Sequence, residues 1–231
     1  MRSIKSKKLV KYNFSFLLLA LIFMLVASPL FEKSLIGVKA GDAIAFIILF
    51  ASIYNLRKSK LIYIISLLFV MNIGGNILSY WCHPENIYII INACCTSAAL
   101  LLLISLEIIY ILIKEEVVRI DTVVGGICAY LLISAFWAML YSALELMQPG
   151  SFDFTVHVFH RNLTNLFAIF NYFSLTTILT IGLGDIIPMT NWAQKITVLE
   201  GVVGQFYIVF FVSSLVAMYV SDRLEKNKKH I

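Results

Sequence analysis

Six stretches of the sequence are rich in apolar residues and are long enough, or nearly so, to cross the roughly 30 Å hydrocarbon core of a membrane. Hydrophobic residues make up 61% of the 231 residues. This hydrophobic fraction lies far outside the usual balance of a soluble domain. The sequence therefore predicts an all-α integral membrane protein with six spans, of which the second is short: residues 14–30, 43–55, 61–80, 87–113, 122–147 and 196–220.

The basic residues are distributed unequally between the two sides of these runs. Of the 18 Lys and Arg residues, all but Lys33, Lys39, Arg161 and Lys195 fall on the side of the two termini. Because short basic loops stay in the cytoplasm, this pattern predicts cytoplasmic N- and C-termini in a plasma or inner membrane. The net charge of +5 is spread over loops beside the membrane, so we expect the lipid bilayer as a partner and no nucleic acid.

The connection between the fifth and sixth runs, residues 148–195, contains one more apolar run at residues 163–175, which is too short to span. It leads into TTILTIGLGDIIP, residues 176–188, in which Gly182 and Gly184 alternate with larger residues. Glycine weakens both helices and strands, so this spacing indicates backbone torsions that other residues avoid. We interpret the connection as a re-entrant helix followed by an irregular segment, which membranes tolerate only where it is buried in protein or lines water.

Such a backbone could turn successive carbonyl groups the same way, so that their oxygens replace the hydration shell of a cation. The Thr180 hydroxyl would add an oxygen at the inner end, and Asp185 would place negative charge at the outer mouth. The re-entrant helix would point its negative C-terminal end toward the ion. One strand forms only one side of each cage, which predicts four chains around an axis. The oxygens would come from Thr180, Ile181, Gly182, Leu183 and Gly184.

The motif TIGLGD, residues 180–185, resembles the selectivity-filter signature of potassium channels, usually written TVGYGD. Residues 172–177 resemble the end of a pore helix, and the last apolar run is similar to the pore-lining helix of bacterial one-pore potassium channels. The resemblance implies a pore domain at residues 122–221 with an outer helix, pore helix, filter and inner helix. It also implies that K+ binds at residues 180–184, with no other cofactor, and that Gly204 occupies the position of the gating-hinge glycine.

Two positions depart from the family pattern. Leu183 stands where the family has a tyrosine that braces the filter, and Leu179 replaces the first of two adjacent threonines. A potassium-selective channel is the first interpretation, and a weakly selective cation channel is the alternative that Leu183 leaves open. The chain has one such segment, so the resemblance implies a homotetramer and not a dimer.

The residues before the pore domain, residues 1–121, predict a four-span membrane domain without a charged voltage sensor. The fourth apolar run contains no arginine, and Glu107 is its one charged residue, whereas voltage sensing needs several charges that move through the field. Residues 222–231 predict a short basic cytoplasmic tail, which is too short for a regulatory domain of ordinary size.

Several residues near the filter are candidates for support or gating. Glu145 and Glu200 are carboxylates in predicted spans and, with Thr177, are candidate supports for the filter. For Glu200, a hydrogen-bonded support and a protonated acid both stay open. Gly204 permits either a hinge or close helix packing. Val212 and Val216, one helical turn apart, are candidates for an apolar constriction that closes by dewetting.

Two other functional classes are alternatives to a channel. A transporter or membrane sensor could also use broken helices and glycines, although the two halves of the sequence show no internal repeat. A membrane enzyme is not favoured, because the sequence contains no paired acid and base, no GxSxG and no HExxH motif.

Overall fold

The computed structural model describes residues 14–31, 52, 61–81, 87–115, 119–154 and 166–228. Within these ranges the chain is mostly helical and contains two short strands. In chain order the elements are α1 (Ser15–Phe31), α2 (Ile62–Trp81), α3 (Ile87–Ile113), α4 (Ile120–Met147), β1 (Phe152–Phe154), α5 (Leu166–Ile178), β2 (Ile186–Pro188) and α6 (Asn191–Lys228).

Three of the described helices are long and apolar enough to cross a membrane: α3, α4 and the Asn191–Val220 part of α6. They correspond to the fourth, fifth and sixth predicted spans. The helices α1 and α2 lie at the first and third predicted runs, although their described parts are shorter apolar helices. The second predicted run, residues 43–55, lies outside the described residues apart from Ser52. The protein is thus a helical membrane protein, and the six-span layout stays a prediction.

The first apolar core joins α1 and α3 to the first half of α4. Leu17 of α1, Ile104 and Ile108 of α3 and Leu132 of α4 are fully buried in it. Leucine and isoleucine fill this core because apolar side chains without polar groups leave no hydrogen bond unsatisfied when two helices approach in a membrane. This core fixes α4 against the N-terminal helices.

The second apolar core joins the last part of α4 to α5 and is dominated by aromatic rings. Tyr141 is fully buried, and its ring lies 5.3 Å from that of Phe152, 6.0 Å from that of Phe170 and 5.2 Å from that of Phe173. The rings meet edge-on or tilted, as their quadrupoles prefer. This core positions the short helix α5 against α4.

The two strands form an antiparallel pair in the register Phe152↔Pro188, Asp153↔Ile187 and Phe154↔Ile186. The Met189 N–H donates to the Ser151 carbonyl oxygen at 2.8 Å and extends this pairing. The strand β2 begins directly after Asp185. The pairing therefore fixes the segment that follows the glycine motif to the end of α4.

The bounds of α5 and α6 differ from the predicted runs. The short helix ends at Ile178 and not at residue 175, so Thr176 and Thr177 belong to its last turn. The last helix begins at Asn191 and continues without interruption to Lys228. Most of the predicted tail is therefore a continuation of α6, because its Arg, Leu, Glu and Lys residues are good helix formers.

Candidate selectivity filter and its supports

The backbone of the glycine motif alternates between left-handed and ordinary torsions. The φ angle is 58° at Thr180, 56° at Gly182 and 76° at Gly184, whereas the residues between them have negative φ. The prediction that both glycines adopt torsions avoided by other residues is confirmed. Thr180 was not expected to do so. It is the one described non-glycine residue with positive φ, a conformation that costs about 1–3 kcal/mol in a residue with a side chain.

Three successive amides of the motif are anchored to the end of α5. The N–H of Thr180 donates to the Thr177 carbonyl at 2.9 Å, and those of Ile181 and Gly182 donate to the Thr176 carbonyl at 2.8 and 3.1 Å. An alternation of torsions of this kind turns neighbouring N–H groups to one side. In a trans peptide the C=O points opposite to the N–H. The carbonyls of residues 179–181 therefore point away from α5.

Thr177 is a predicted support for the filter, whereas Thr176 is not among the predicted residues. In the structure, the backbone carbonyls of both residues accept the hydrogen bonds from the amides of the motif. A signal for this existed, because the last four carbonyls of any helix lack partners within the helix. The Ile178 carbonyl, also at this helix end, accepts the Tyr130 hydroxyl of α4 at 2.8 Å. The carbonyls at the C-terminal end of α5 thus accept hydrogen bonds from the inner part of the motif and from α4.

The outer end of the motif is held by side chains. The Tyr172 hydroxyl of α5 donates to Asp185 Oδ2 at 2.6 Å, and the Ile186 N–H donates to Asp185 Oδ1 at 3.1 Å. The hydrogen bond to Asp185 raises the pKa of Tyr172 above its ordinary value. No local pattern in the sequence indicates this pair.

Residues 179–184 are exposed in the single chain. The exposed fraction is 48% for Leu179, 55% for Ile181 and 63% for Leu183. Irregular backbone at membrane depth must be covered by protein or line a water-filled space. One chain alone therefore leaves these residues of the motif uncovered.

Glu145 supports the motif indirectly. It is buried near the end of α4, where Oε1 accepts the Gly150 N–H at 3.0 Å and Oε2 accepts the Phe152 N–H at 3.1 Å. These bonds fix the turn between α4 and β1. Because β1 pairs with β2, the carboxylate of Glu145 is linked through the strand pair to the segment after Asp185.

Glu200 connects three helices. Its side chain is fully buried in α6 and accepts hydrogen bonds from the Tyr141 hydroxyl of α4 and the Ser174 hydroxyl of α5. Ser174 Oγ also lies 2.8 Å from the Ser134 carbonyl oxygen and 3.0 Å from the Ser134 hydroxyl, so its single proton can go to Glu200 or to the Ser134 carbonyl. These contacts fit a carboxylate that accepts from both hydroxyls and also a protonated acid that donates to Ser174, so both interpretations of Glu200 stay open. The described residues thus place Glu200 as a hydrogen-bonded link behind α5.

Gly204 lies where α6 contacts the end of α5. A Cβ at this position would come within 2.4 Å of Ile178 Cγ1 and 3.1 Å of the Ile178 carbonyl oxygen, whereas a Cβ at Gly201 would meet nothing within 4 Å. The helix is continuous through Gly204. These contacts favour the close-packing explanation for Gly204, and the hinge stays a prediction.

The two valines of the predicted constriction lie farther along α6. Val212 is 51% exposed and Val216 is 56% exposed in the single chain. The structure therefore brings the motif, Asp185 and the two glutamates together around α5, while the valines lie outside this group. Their role stays a prediction.

The described residues contain no cluster of three or more His, Cys, Asp or Glu side chains that could hold a metal ion. The oxygen atoms available to a cation at the motif are instead backbone carbonyls and the Thr180 hydroxyl.

Comparison with known proteins agrees with this geometry. A family model described as an ion channel, Ion_trans_2, matches residues 97–221, from within α3 to the membrane part of α6. No curated protein and no solved structure shows a significant match. The matched range is more than half of the chain and contains α4, α5, the glycine motif and the strand pair. The chain therefore belongs to this ion channel family.

Proposed function

We propose that the protein is a passive potassium-selective channel in which backbone carbonyls of residues 180–184 replace the hydration shell of K+. The observation that supports this most directly is the alternation of positive φ at Thr180, Gly182 and Gly184. It occurs together with amides that are tied to α5. A segment whose N–H groups are occupied on one side presents its carbonyl oxygens on the other side, where an ion can bind.

The electrostatics around the motif favour a cation. The C-terminal end of α5 has a partial negative charge equivalent to about half an elementary charge, and it lies next to Thr180. Asp185 places a carboxylate at the opposite end, where Tyr172 fixes its orientation. A cation would therefore meet negative potential at both ends of the carbonyl ladder.

A homotetramer completes the proposed site. One chain supplies one wall, and the exposed side chains of Ile181 and Leu183 need cover in a membrane protein. The membrane part of α6 is almost uncovered, with 6% of its apolar window buried within the chain. Four copies related by a closed rotation would surround the axis with carbonyls and bury these surfaces.

The remaining parts of the proposal follow from the sequence. Both termini lie in the cytoplasm, so the outer mouth at Asp185 faces the outside of a plasma or inner membrane. Residues 1–121 form the N-terminal membrane domain, residues 122–221 the pore domain and residues 222–231 the basic tail. Glu107, the one charged residue of α3, is buried and belongs to a helix without arginine, which does not favour voltage sensing. Permeant K+ is the ligand, and we propose no enzymatic activity.

The test is potassium flux through the purified protein in liposomes with a K+ gradient. In Gly182→Ala we expect flux to fall to the background of empty liposomes, because alanine disfavours a φ of 56°. Gly201→Ala is the matched control, since the same substitution on α6 meets no atom within 4 Å and should conduct like the wild type. Equal flux in Gly182→Ala and wild type would contradict the filter assignment.

A weakly selective cation channel is the second candidate. Leu183 lacks the hydroxyl that the family tyrosine uses to brace the filter, and its side chain is 63% exposed in the single chain. Bi-ionic reversal potentials with K+ on one side and Na+ on the other separate the two candidates. A reversal potential near zero, which means similar permeability for both ions, would favour the weakly selective channel.

A further inference from the structure

A cavity of about 280 Å³ lies where α3, α4 and α6 meet. Its lining combines the end of α3, the start of α4 and the part of α6 between residues 207 and 218, and it includes Ile109, Leu112, Ile113, Thr122, Phe211 and Ser214. Among the described residues that line it, none belongs to the glycine motif. The cavity is therefore separate from the candidate filter and lies at the joint between the N-terminal helices and the last helix.

A contact with Gly126 of α4 fixes the position of α6 beside the cavity. The Tyr207 hydroxyl donates to the Gly126 carbonyl at 2.7 Å, and the Phe211 ring packs so closely on Gly126 that a Cβ there would overlap it. The rings of Tyr207 and Phe211 stack with their centroids 5.7 Å apart, and both line the cavity. Because α6 is held at this contact, it cannot approach α3 and close the space without breaking the contact.

The three hydroxyl groups in the lining all donate to acceptors of the chain. Thr122 donates to Glu115 Oε2 at 3.1 Å, Ser214 donates to the Phe210 carbonyl at 2.7 Å, and Tyr207 donates to α4. A buried water needs two to four polar partners, whereas an apolar cavity of roughly 150 Å³ stays dry and accepts a molecule of the size of benzene. The lining therefore favours an apolar occupant over water.

The cavity lies at the edge of the membrane-spanning part of the chain. Ile113 is the last residue of α3, Thr122 belongs to the first turn of α4, and Met218 lies two residues before the end of the apolar part of α6. On the predicted orientation this edge faces the cytoplasm. Ile113 and Phe210 are 70% and 67% exposed in the single chain, so the cavity is open to the surface, where acyl chains of the cytoplasmic leaflet would surround it.

A cation lies beside the mouth of the cavity. Lys114 directly follows Ile113, and its exposed side chain places Nζ 4.0 Å from the centroid of the Tyr110 ring and within hydrogen-bonding distance of its hydroxyl. An ammonium has three donors, so others remain for a lipid phosphate. The nearby carboxylates have other surroundings, because Glu115 accepts a hydrogen bond from α4 and Asp121 lies in the first turn of α4, where the helix dipole favours negative charge.

We infer that the cavity binds one acyl chain of a phospholipid from the cytoplasmic leaflet, with the lipid phosphate at Lys114. Lysine side chains at the cytoplasmic surface attract the phosphates of anionic lipids, and the apolar lining replaces the hydrocarbon around the chain. The bound chain would contact Tyr207 and Phe211, the two side chains that hold α6 at Gly126. The lipid thereby supports the position of the last helix, whichever ion the protein conducts.

Photochemical labelling with a phospholipid tests the position of the acyl chain. The probe is a phosphatidylglycerol that carries a diazirine in the middle of one acyl chain, and it is added in equimolar amount to the purified protein in dodecyl maltoside, where no bulk lipid competes. Illumination releases nitrogen, and the carbene that forms inserts into a neighbouring bond. Mass spectrometry of peptides should find adducts on residues 109–113 and 207–218 and few on the exposed side chains of α1.

A substitution that fills the cavity should remove these adducts. In Ser214→Phe the new ring would occupy the space that Ser214 lines, so labelling there should fall to the level found on α1. Ser213→Phe is the matched control, because the adjacent serine is exposed and does not line the cavity, and it should label like the wild type. The two variants are compared at equal helix content, measured by circular dichroism.

A second pair of variants tests the phosphate contact without changing the lining. Lys114→Gln removes the exposed charge at the mouth of the cavity and should reduce labelling of residues 109–113 and 207–218. Lys195→Gln is the matched control, because this lysine is also exposed but lies near the opposite end of the apolar part of α6, and it should leave labelling unchanged.

The outcomes separate this inference from the proposed function. Equal labelling of the cavity in Ser214→Phe and Ser213→Phe, or adducts spread evenly over α1, α3 and α6, would overturn the acyl-chain site. Equal labelling in Lys114→Gln and the wild type would overturn the contact with the phosphate. Neither result concerns the filter, because Gly182→Ala should lose flux and still label like the wild type.

Discussion

The helices α4 and α6 are both long apolar spans of the pore domain, yet they are packed very differently. Half of the residues in the apolar window of α4 are buried within the chain, compared with 6% in α6. Apolar sequence alone does not distinguish them, because lipid tails are as apolar as leucine and do not force helices together. The difference shows that α4 packs inside one subunit, whereas most of the surface of α6 is free to contact lipid, water or another subunit.

The polar side chains of the two helices differ in the same way, because those of α4 are paired within the chain and those of α6 are only partly so. In α4, Tyr141, Ser134 and Glu145 all have partners within the chain. In α6, Glu200 is paired on the face that contacts α4 and α5, while Gln205 lies on an exposed face. Changes on α4 should therefore affect the folding of the subunit, and changes on the exposed faces of α6 should affect conduction and assembly.

The largest effect is expected for Tyr141→Ala on α4. The ring is fully buried among Trp137, Phe152, Phe170 and Phe173, and its hydroxyl donates to Glu200. Removal of a buried aromatic ring costs about 3–5 kcal/mol. We expect the free energy of unfolding in detergent to fall by this amount, measured by denaturant titration with circular dichroism.

Tyr141→Phe is the matched control, because it keeps the ring and removes only the hydrogen bond to Glu200. A buried acceptor that loses its donor costs about 1–3 kcal/mol, so this variant should lie between the wild type and Tyr141→Ala. If Tyr141→Ala were as stable as the wild type, α4 would not be the internal scaffold of the subunit, and the contrast with α6 would disappear.

Some features of the fold and site could be predicted from the sequence, because they depend on local patterns. The apolar run at residues 87–113 coincides with α3, and long apolar runs have few alternatives to helices in a membrane. The left-handed torsions of Gly182 and Gly184 followed from the freedom of glycine. The hydrogen-bonding role of Glu145 was also expected, since an intramembrane carboxylate needs partners.

Other features could not be predicted, because they depend on which helices meet. The link from Glu200 to Tyr141 and Ser174 joins residues that are 59 and 26 positions apart, and no local pattern indicates such a pair. The contact of Tyr172 with Asp185 likewise requires that α5 and the end of the motif run side by side. The positive φ of Thr180 follows from its hydrogen bond to Thr177 at the helix end, which overrides the ordinary preference of threonine.

An intermediate effect is expected for Gly204→Ala, on the face of α6 that contacts the chain. The added Cβ would lie 2.4 Å from Ile178 Cγ1, and overpacking of this kind costs about 1–3 kcal/mol. Gly201→Ala, three residues earlier on α6, meets no atom within 4 Å and should be neutral or slightly stabilising, because alanine favours a helix. Thermal unfolding in detergent would measure both.

The outcome for Gly204→Ala also separates packing from a hinge. A packing contact predicts a lower unfolding temperature with Gly204→Ala than with Gly201→Ala. If the two variants were equally stable and only the fraction of time in the conducting state changed, Gly204 would act as a hinge. The contact of Gly204 with Ile178 would then be less rigid than the distances indicate.

The smallest effect on the subunit is expected for Phe210→Ala, on the exposed apolar stripe of α6 that contains Leu199, Phe206 and Phe210. The side chain is 67% exposed in the single chain, and substitutions at such positions usually change stability by no more than about 0.5 kcal/mol. If this stripe packs against neighbouring chains, the variant should still shift the population from tetramer to smaller species, measured by light scattering after size-exclusion chromatography in detergent.

Ile127→Ala is the control on α4, where the side chain is 43% exposed, and it should leave the tetramer intact. Equal loss of tetramer in both variants would mean that α4 and α6 contribute alike to assembly. An intact tetramer in both would assign the stripe with Phe210 to lipid and leave the filter segment and other surfaces to hold the subunits together.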